Sequence, residues 1–120
     1  MKRIEAIFKP YKLDEVREAL AGLGLNGLIA IEVVGCGRWN GQPEHLLGPL
    51  HASNLIPKIK IEVVVADALS GPVSSAIVEA ARTGSLDDGH IFISEVTEAI
   101  SIGARDALDE NARFCVASAV

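Results

Sequence analysis

The chain has 120 residues and a mass of 12.7 kDa, enough for one folded unit with a modest core and too little for a two-domain enzyme. Apolar residues make up 49% and charged residues 22%, a globular balance that excludes intrinsic disorder. Eleven Lys+Arg against sixteen Asp+Glu give a net charge of −5 and a pI near 5.1, which argues against a surface built to neutralise nucleic-acid phosphates. Residues 2–8 alternate Ile4, Ala6 and Phe8 with Arg3, Glu5 and Ile7, the period-two pattern of a strand with one face in the core, and Pro10 stops it. Over 13–23, Leu13, Val16, Leu20 and Leu23 fall on one helical stripe, and Asp14 and Glu15 occupy the first turn, where the helix dipole favours acids. Gly24 and Gly27 flank the exit of this helix. Residues 28–34 and 58–65 are β-rich, the second run alternating Ile59, Ile61, Val63 and Val65 with Lys58, Lys60, Glu62 and Val64. A second helix is expected from about Pro72, suited to a first turn, to Gly84 as its C-terminal cap. A fourth strand follows at 91–93.

No apolar run approaches the roughly 18 residues of a membrane span. Glu5 falls where a signal peptide keeps its apolar core. The expectation is therefore a cytoplasmic protein with no direct membrane insertion and no nucleic-acid partner. Cys36 and Cys115 belong to no C-x-x-C pair, so two idle or packed thiols are expected rather than a zinc site or a disulfide framework.

The chain repeats itself. Residues 3–8 share the character of 60–65, each run precedes a helix, and each helix leads through glycine to a further strand. Two βαβ units (βαββαβ) packed as one antiparallel sheet, with both helices on one face, give the α+β, ferredoxin-like arrangement, here as a single domain over 1–120. The other sheet face needs a cover. Val64 on the polar side of its strand points to burial of that face by oligomerisation.

Between strands two and three lie about twenty residues, 38–57, with little strand character, an unusual length in so small a domain and a functional signal. They carry Trp39, Leu46, Leu47, Leu50, Leu55 and Ile56, too much apolar surface for a solvated arm, so the loop docks on a partner or on its own oligomer. Glu44, His45 and His51 are suitable ligand types for a transition metal. Their spacing matches no known metal motif, solvated loop histidines are the simpler reading, and no metal site is assigned. No nucleophile elbow, Walker lysine or spaced catalytic set occurs, and Gly35-x-Gly37 lacks the third glycine of a dinucleotide fingerprint. An enzyme is not expected.

Residues 2–20, 32–38, 55–62, 83–84 and 88–92 match, in order and without gaps, the segments that mark the P-II signal-transduction family, which the chain resembles over nearly its first hundred residues. The resemblance implies a ferredoxin-like homotrimer with nucleotide sites between subunits, and sensing of ATP, ADP and 2-oxoglutarate. It divides the chain into a T-loop at 38–57, a B-loop at 83–90 and a variable segment at 104–120. Nucleotide contacts are implied for Ile7, Gly35, Cys36, Gly37, Arg38, Glu62, Val64, Asp88, Gly89 and His90, and effector or anion contacts for Arg38, Trp39 and Lys58. Partner contacts fall on Trp39, His45, Leu46, Leu47, Leu50 and His51, and a membrane transporter is one class of partner.

The chain departs from the family pattern at several of these positions. Asp87 stands at a family glycine, His90 at a lysine, Ser101 and Gly103 at arginines, Ile29 at a threonine and Trp39 at a glutamine. Each charge-assisted hydrogen bond to phosphate is worth ~1.5–3 kcal/mol, so the loss of three cations predicts weak ATP binding. Asp87 adds like-charge repulsion, which favours ADP or AMP over ATP. His51 and Leu46 replace the T-loop tyrosines, which excludes control by tyrosine nucleotidylation in this loop. Arg38 and Lys58 suit a small anion such as bicarbonate or 2-oxoglutarate. The alternative is a divergent P-II-like or CutA-like divalent-cation-tolerance trimer that binds bicarbonate or a divalent metal and serves ion or inorganic-carbon transport.

Overall fold

The computed structural model describes residues 1–25, 27–36 and 55–103. Strand β1 (Lys2–Phe8) leads through one 3-10 turn (Pro10–Lys12) into helix α1 (Leu13–Ala21), followed by β2 (Ile29–Gly35) and β3 (Ile56–Val65). Helix α2 (Asp67–Ala81) and β4 (Gly89–Glu95) complete the second half. The strands form one sheet in the order β2-β3-β1-β4, every neighbouring pair antiparallel. This is the expected α+β, ferredoxin-like plan.

Alternation along β1 and β3 sends Ile4, Ala6 and Phe8 and Ile61, Val63 and Val65 to one face, where they pack with Val16 and Leu20 of α1 and Val73 and Ile77 of α2. All are at most 2% exposed, so truncation of a large member such as Phe8 to Ala is expected to cost roughly 3–5 kcal/mol. Helix α1 closes as a Schellman motif: Gly24 takes φ +87°, Leu25 N–H bonds Leu20 C=O, and Gly24 N–H bonds Ala21 C=O, both at 3.0 Å. The motif swings Leu25 into the core beside Leu20. Leu23, expected on the buried stripe, lies past the helix and is 37% exposed, because the chain has already turned there.

Helix α2 departs further from expectation. It begins at Asp67 and carries Pro72 in its interior. Proline removes the N–H that would bond Ala68 C=O and crowds the preceding residue, but that residue is Gly71, which has no Cβ to crowd. Ala68, Gly71 and Pro72 are all exposed, so water can reach the carbonyl left over. At the other end the helix stops at Ala81, with Arg82 already extended. Gly84 (φ +94°) therefore belongs to the following turn and does not cap the helix. Strand β3 also starts earlier than expected, with Pro57 paired to Val34.

On the sheet face away from the helices, Val64 is already buried within the single chain. The apolar exposure on that face comes instead from Ile31 (49%) and Phe92 (56%), which register places opposite Lys60 and Glu5. Among the described residues no helix is long and apolar enough to cross a membrane.

Candidate functional site

Because the sheet is antiparallel, one of its ends gathers the C-terminal ends of β1 and β2 and the N-terminal ends of β3 and β4. Register sets Phe8 opposite both Ile59 and Gly89, Ile7 opposite Lys60 and His90, and Val33 opposite Lys58. Ile7, Gly35, Cys36, Lys58, Asp88, Gly89 and His90 thus collect at this end. Glu62 and Val64 do not: Glu62 lies four residues further along β3, about 13 Å at strand rise, opposite Glu5 and Ile29. Gly37, Arg38, Trp39, Glu44, His45, Leu46, Leu47, Leu50, His51, Cys115 and the segment from 104 onward lie outside the described residues.

The turn at 83–88 is built on Asp88. Its carboxylate accepts the N–H and the hydroxyl of Thr83 and, at 2.9 Å, the N–H of Gly84. These Thr83 bonds, aided by Gly84 and Lys9, hold the Asp88 carboxyl far below the usual carboxylate range. The next residue, Gly89, has φ +132°, and a Cβ there would sit 1.8 Å from the Ile7 carbonyl oxygen. Only glycine lets the turn pass this close to β1.

Two lysines lie under the turn. Lys58 Nζ donates to the Asp87 carbonyl at 2.7 Å, and Lys58 is 2% exposed. Burial lowers its pKa against the pull of Asp87. Lys9 Nζ lies 3.3 Å from Asp87 Oδ1 and 3.4 Å from Asp88 Oδ1. Partial burial acts to lower the Lys9 pKa, but the bond and charge of Asp87 outweigh it and the net shift is upward. Asp87 in turn accepts the Ser85 hydroxyl, and that bond, with Lys9, lowers its own pKa against the opposing effect of desolvation.

Asp87 was expected to confront a ligand as an unbalanced negative charge. Its carboxylate instead lies against Lys9, with 16% of its side chain exposed, because partial burial next to an ammonium favours the pair. The sequence marks Thr83 only as part of a family segment and gives Lys9 and Ser85 no role at the site. Lys9 follows the last residue of β1, and nothing local signals its pairing with a turn nearly eighty positions away. His90 is exposed and its ring stacks on Phe92, centroids 6.2 Å apart. Cys36, expected to be a small packed side chain, is exposed, since it lies just beyond the end of β2. Ser101 is half-buried, and its neighbours Ile100 and Ile102 are 58% and 96% exposed.

Beside the lysine cluster a cleft of about 320 Å3 opens between β1, β4 and α2, walled by Phe8, Ile77 and Ile91, with Arg82, Asp88 and His90 at the polar positions. That volume is at the lower end for small-molecule sites. Among the described residues there is no group of three or more His, Cys, Asp or Glu able to hold a metal ion.

The fold defines the class, an α+β ferredoxin-like protein whose sheet end carries a glycine turn over two lysines. A family model described as nitrogen regulatory protein P-II matches residues 1–106, and the chain belongs to that family. It is 51% identical over 102 residues to nitrogen regulatory protein P-II of Cereibacter sphaeroides and 49% identical over 102 residues to that of Rhizobium meliloti, covering 85% of this chain and 91% of each relative. With the protein of the same description from Porphyra purpurea it shares 42% over 106 residues, 88% of this chain and 95% of the relative. P-II proteins are signal-transduction regulators in nitrogen control, not enzymes. As a family they bind ATP, ADP and 2-oxoglutarate, form trimers and engage partner proteins.

Proposed function

We propose that this chain acts as a homotrimeric P-II regulator that binds an adenine nucleotide or small anionic effector in clefts between subunits. Through residues 38–57 it passes the ligand state to a partner protein, with a membrane transporter one candidate class. The observation that carries the reading is the pair Lys9 and Lys58 beneath the 83–88 turn, where cations, a backbone that only glycine permits and an adjoining cleft meet. Glu62 and Val64 lie about 13 Å or more from Lys58 along β3, a separation that suits an extended ligand or a site to which a second subunit contributes. Signalling is then a population shift: an effector favours one conformation of the 38–57 segment only by the difference in its affinity for the two.

The test is calorimetric titration with ATP, ADP and AMP, each with and without 2-oxoglutarate, and with bicarbonate alone. Binding of ADP or AMP at least as tight as that of ATP is the expected outcome. Tight ATP binding strengthened by 2-oxoglutarate would instead assign ordinary nitrogen sensing, and no binding of any of these would remove the effector reading.

A further inference from the structure

Lys9, Lys58, Asp87 and Asp88 form a cluster whose formal charges cancel: two ammonium groups and two carboxylates. The two carboxylates do different jobs. Asp88 accepts from Thr83 and Gly84 and builds the turn, with Lys9 3.4 Å from its carboxylate as a further contact. The Asp87 side chain meets Ser85 and Lys9, so its charge is spent on Lys9, while its main-chain oxygen caps Lys58. From these contacts we infer that Asp87 is a tethered internal counter-ion of Lys9 that competes with an incoming anion for that ammonium and so sets the charge of ligand the site accepts.

The inference rests on the proposed function and deepens it. A carboxylate attached to the chain is always present at its lysine, so a free anion must displace it, and each further negative charge on the ligand also meets the displaced carboxylate. Lys58 is 2% exposed and already donates to the Asp87 carbonyl, so Lys9 is the more accessible of the two ammonium groups. Ligands that need few cations are thereby preferred to polyanions.

The experiment compares wild type with Asp87→Asn, which keeps an acceptor for Ser85 and removes the charge, and with Asp87→Glu, which keeps the charge. Affinities for ATP and AMP are measured calorimetrically at fixed ionic strength. Asp87→Asn is expected to raise the ATP-to-AMP affinity ratio about ten-fold, as removal of one charge near a part-buried ammonium should, while Asp87→Glu stays close to the wild-type ratio. Lys9→Gln lowers the ratio, having removed the cation and left the carboxylate. Nucleotide binding by wild type with the same ratio in Asp87→Asn overturns the counter-ion role and leaves the proposed function standing. A parallel rise in both Asp87 variants identifies a loosened turn rather than charge and also overturns it. Absence of nucleotide binding by wild type and variants alike overturns the proposed function together with this inference.

Discussion

Gly89 sits where three demands coincide: a positive φ, the start of β4, and a main chain pressed against the Ile7 carbonyl. Replacement by alanine has to move either β1 or the turn, so Gly89→Ala is expected to lose at least about 2 kcal/mol of stability, read from urea-unfolding midpoints. The glycine was visible in the sequence as part of a resemblance, but the physical need for it was not, since the obstructing oxygen belongs to a residue more than eighty positions earlier. The same distance hid Lys9. Asp87, by contrast, stands out in the sequence as a charge at a position where the family has none, while the cation beside it, Lys9, is set there only by the fold.

Among the elements, β1 was read with its correct ends because alternation and Pro10 are local signals. The start of α2 was not, since Pro72 looks like a first-turn residue and the compensation by Gly71 becomes clear only once Asp67 is seen to open the helix. Gly84 was assigned to a helix cap because a lone glycine after an apolar run fits one. Its actual role, donating to Asp88, depends on a turn held by a carboxylate. That turn has a pH signature. The Asp88 pKa is lower in the folded chain than in the unfolded one, so its contribution is complete above the unfolded value of about 3.9 and is lost as pH falls toward the folded value. The melting temperature of wild type is expected to drop below about pH 4, and that of Asp88→Asn to drop less steeply over the same interval.

For the whole molecule, the outer sheet face predicts assembly. Ile31 and Phe92, about half exposed on the two edge strands, flank the Lys60–Glu5 ion pair, 3.3 Å apart on the central strands, a mixed surface suited to a subunit interface. Light scattering is expected to give three times the 12.7-kDa chain mass, and the double variant Ile31→Lys, Phe92→Lys to give a smaller species with an unchanged far-ultraviolet spectrum. A wild-type monomer would contradict the proposed inter-subunit site. What the sequence by itself determined was the duplicated βαβ plan, the core face and the family, because periodicity, turn residues and motif spacing are written in neighbouring positions. Only the tertiary structure decided that Lys9 and Lys58 share one turn, that the Asp87 carboxylate lies against Lys9, and that Glu62 stands apart from them. Those relations depend on strand register and chain reversal, which bring distant residues within a few ångströms and leave no trace in local order.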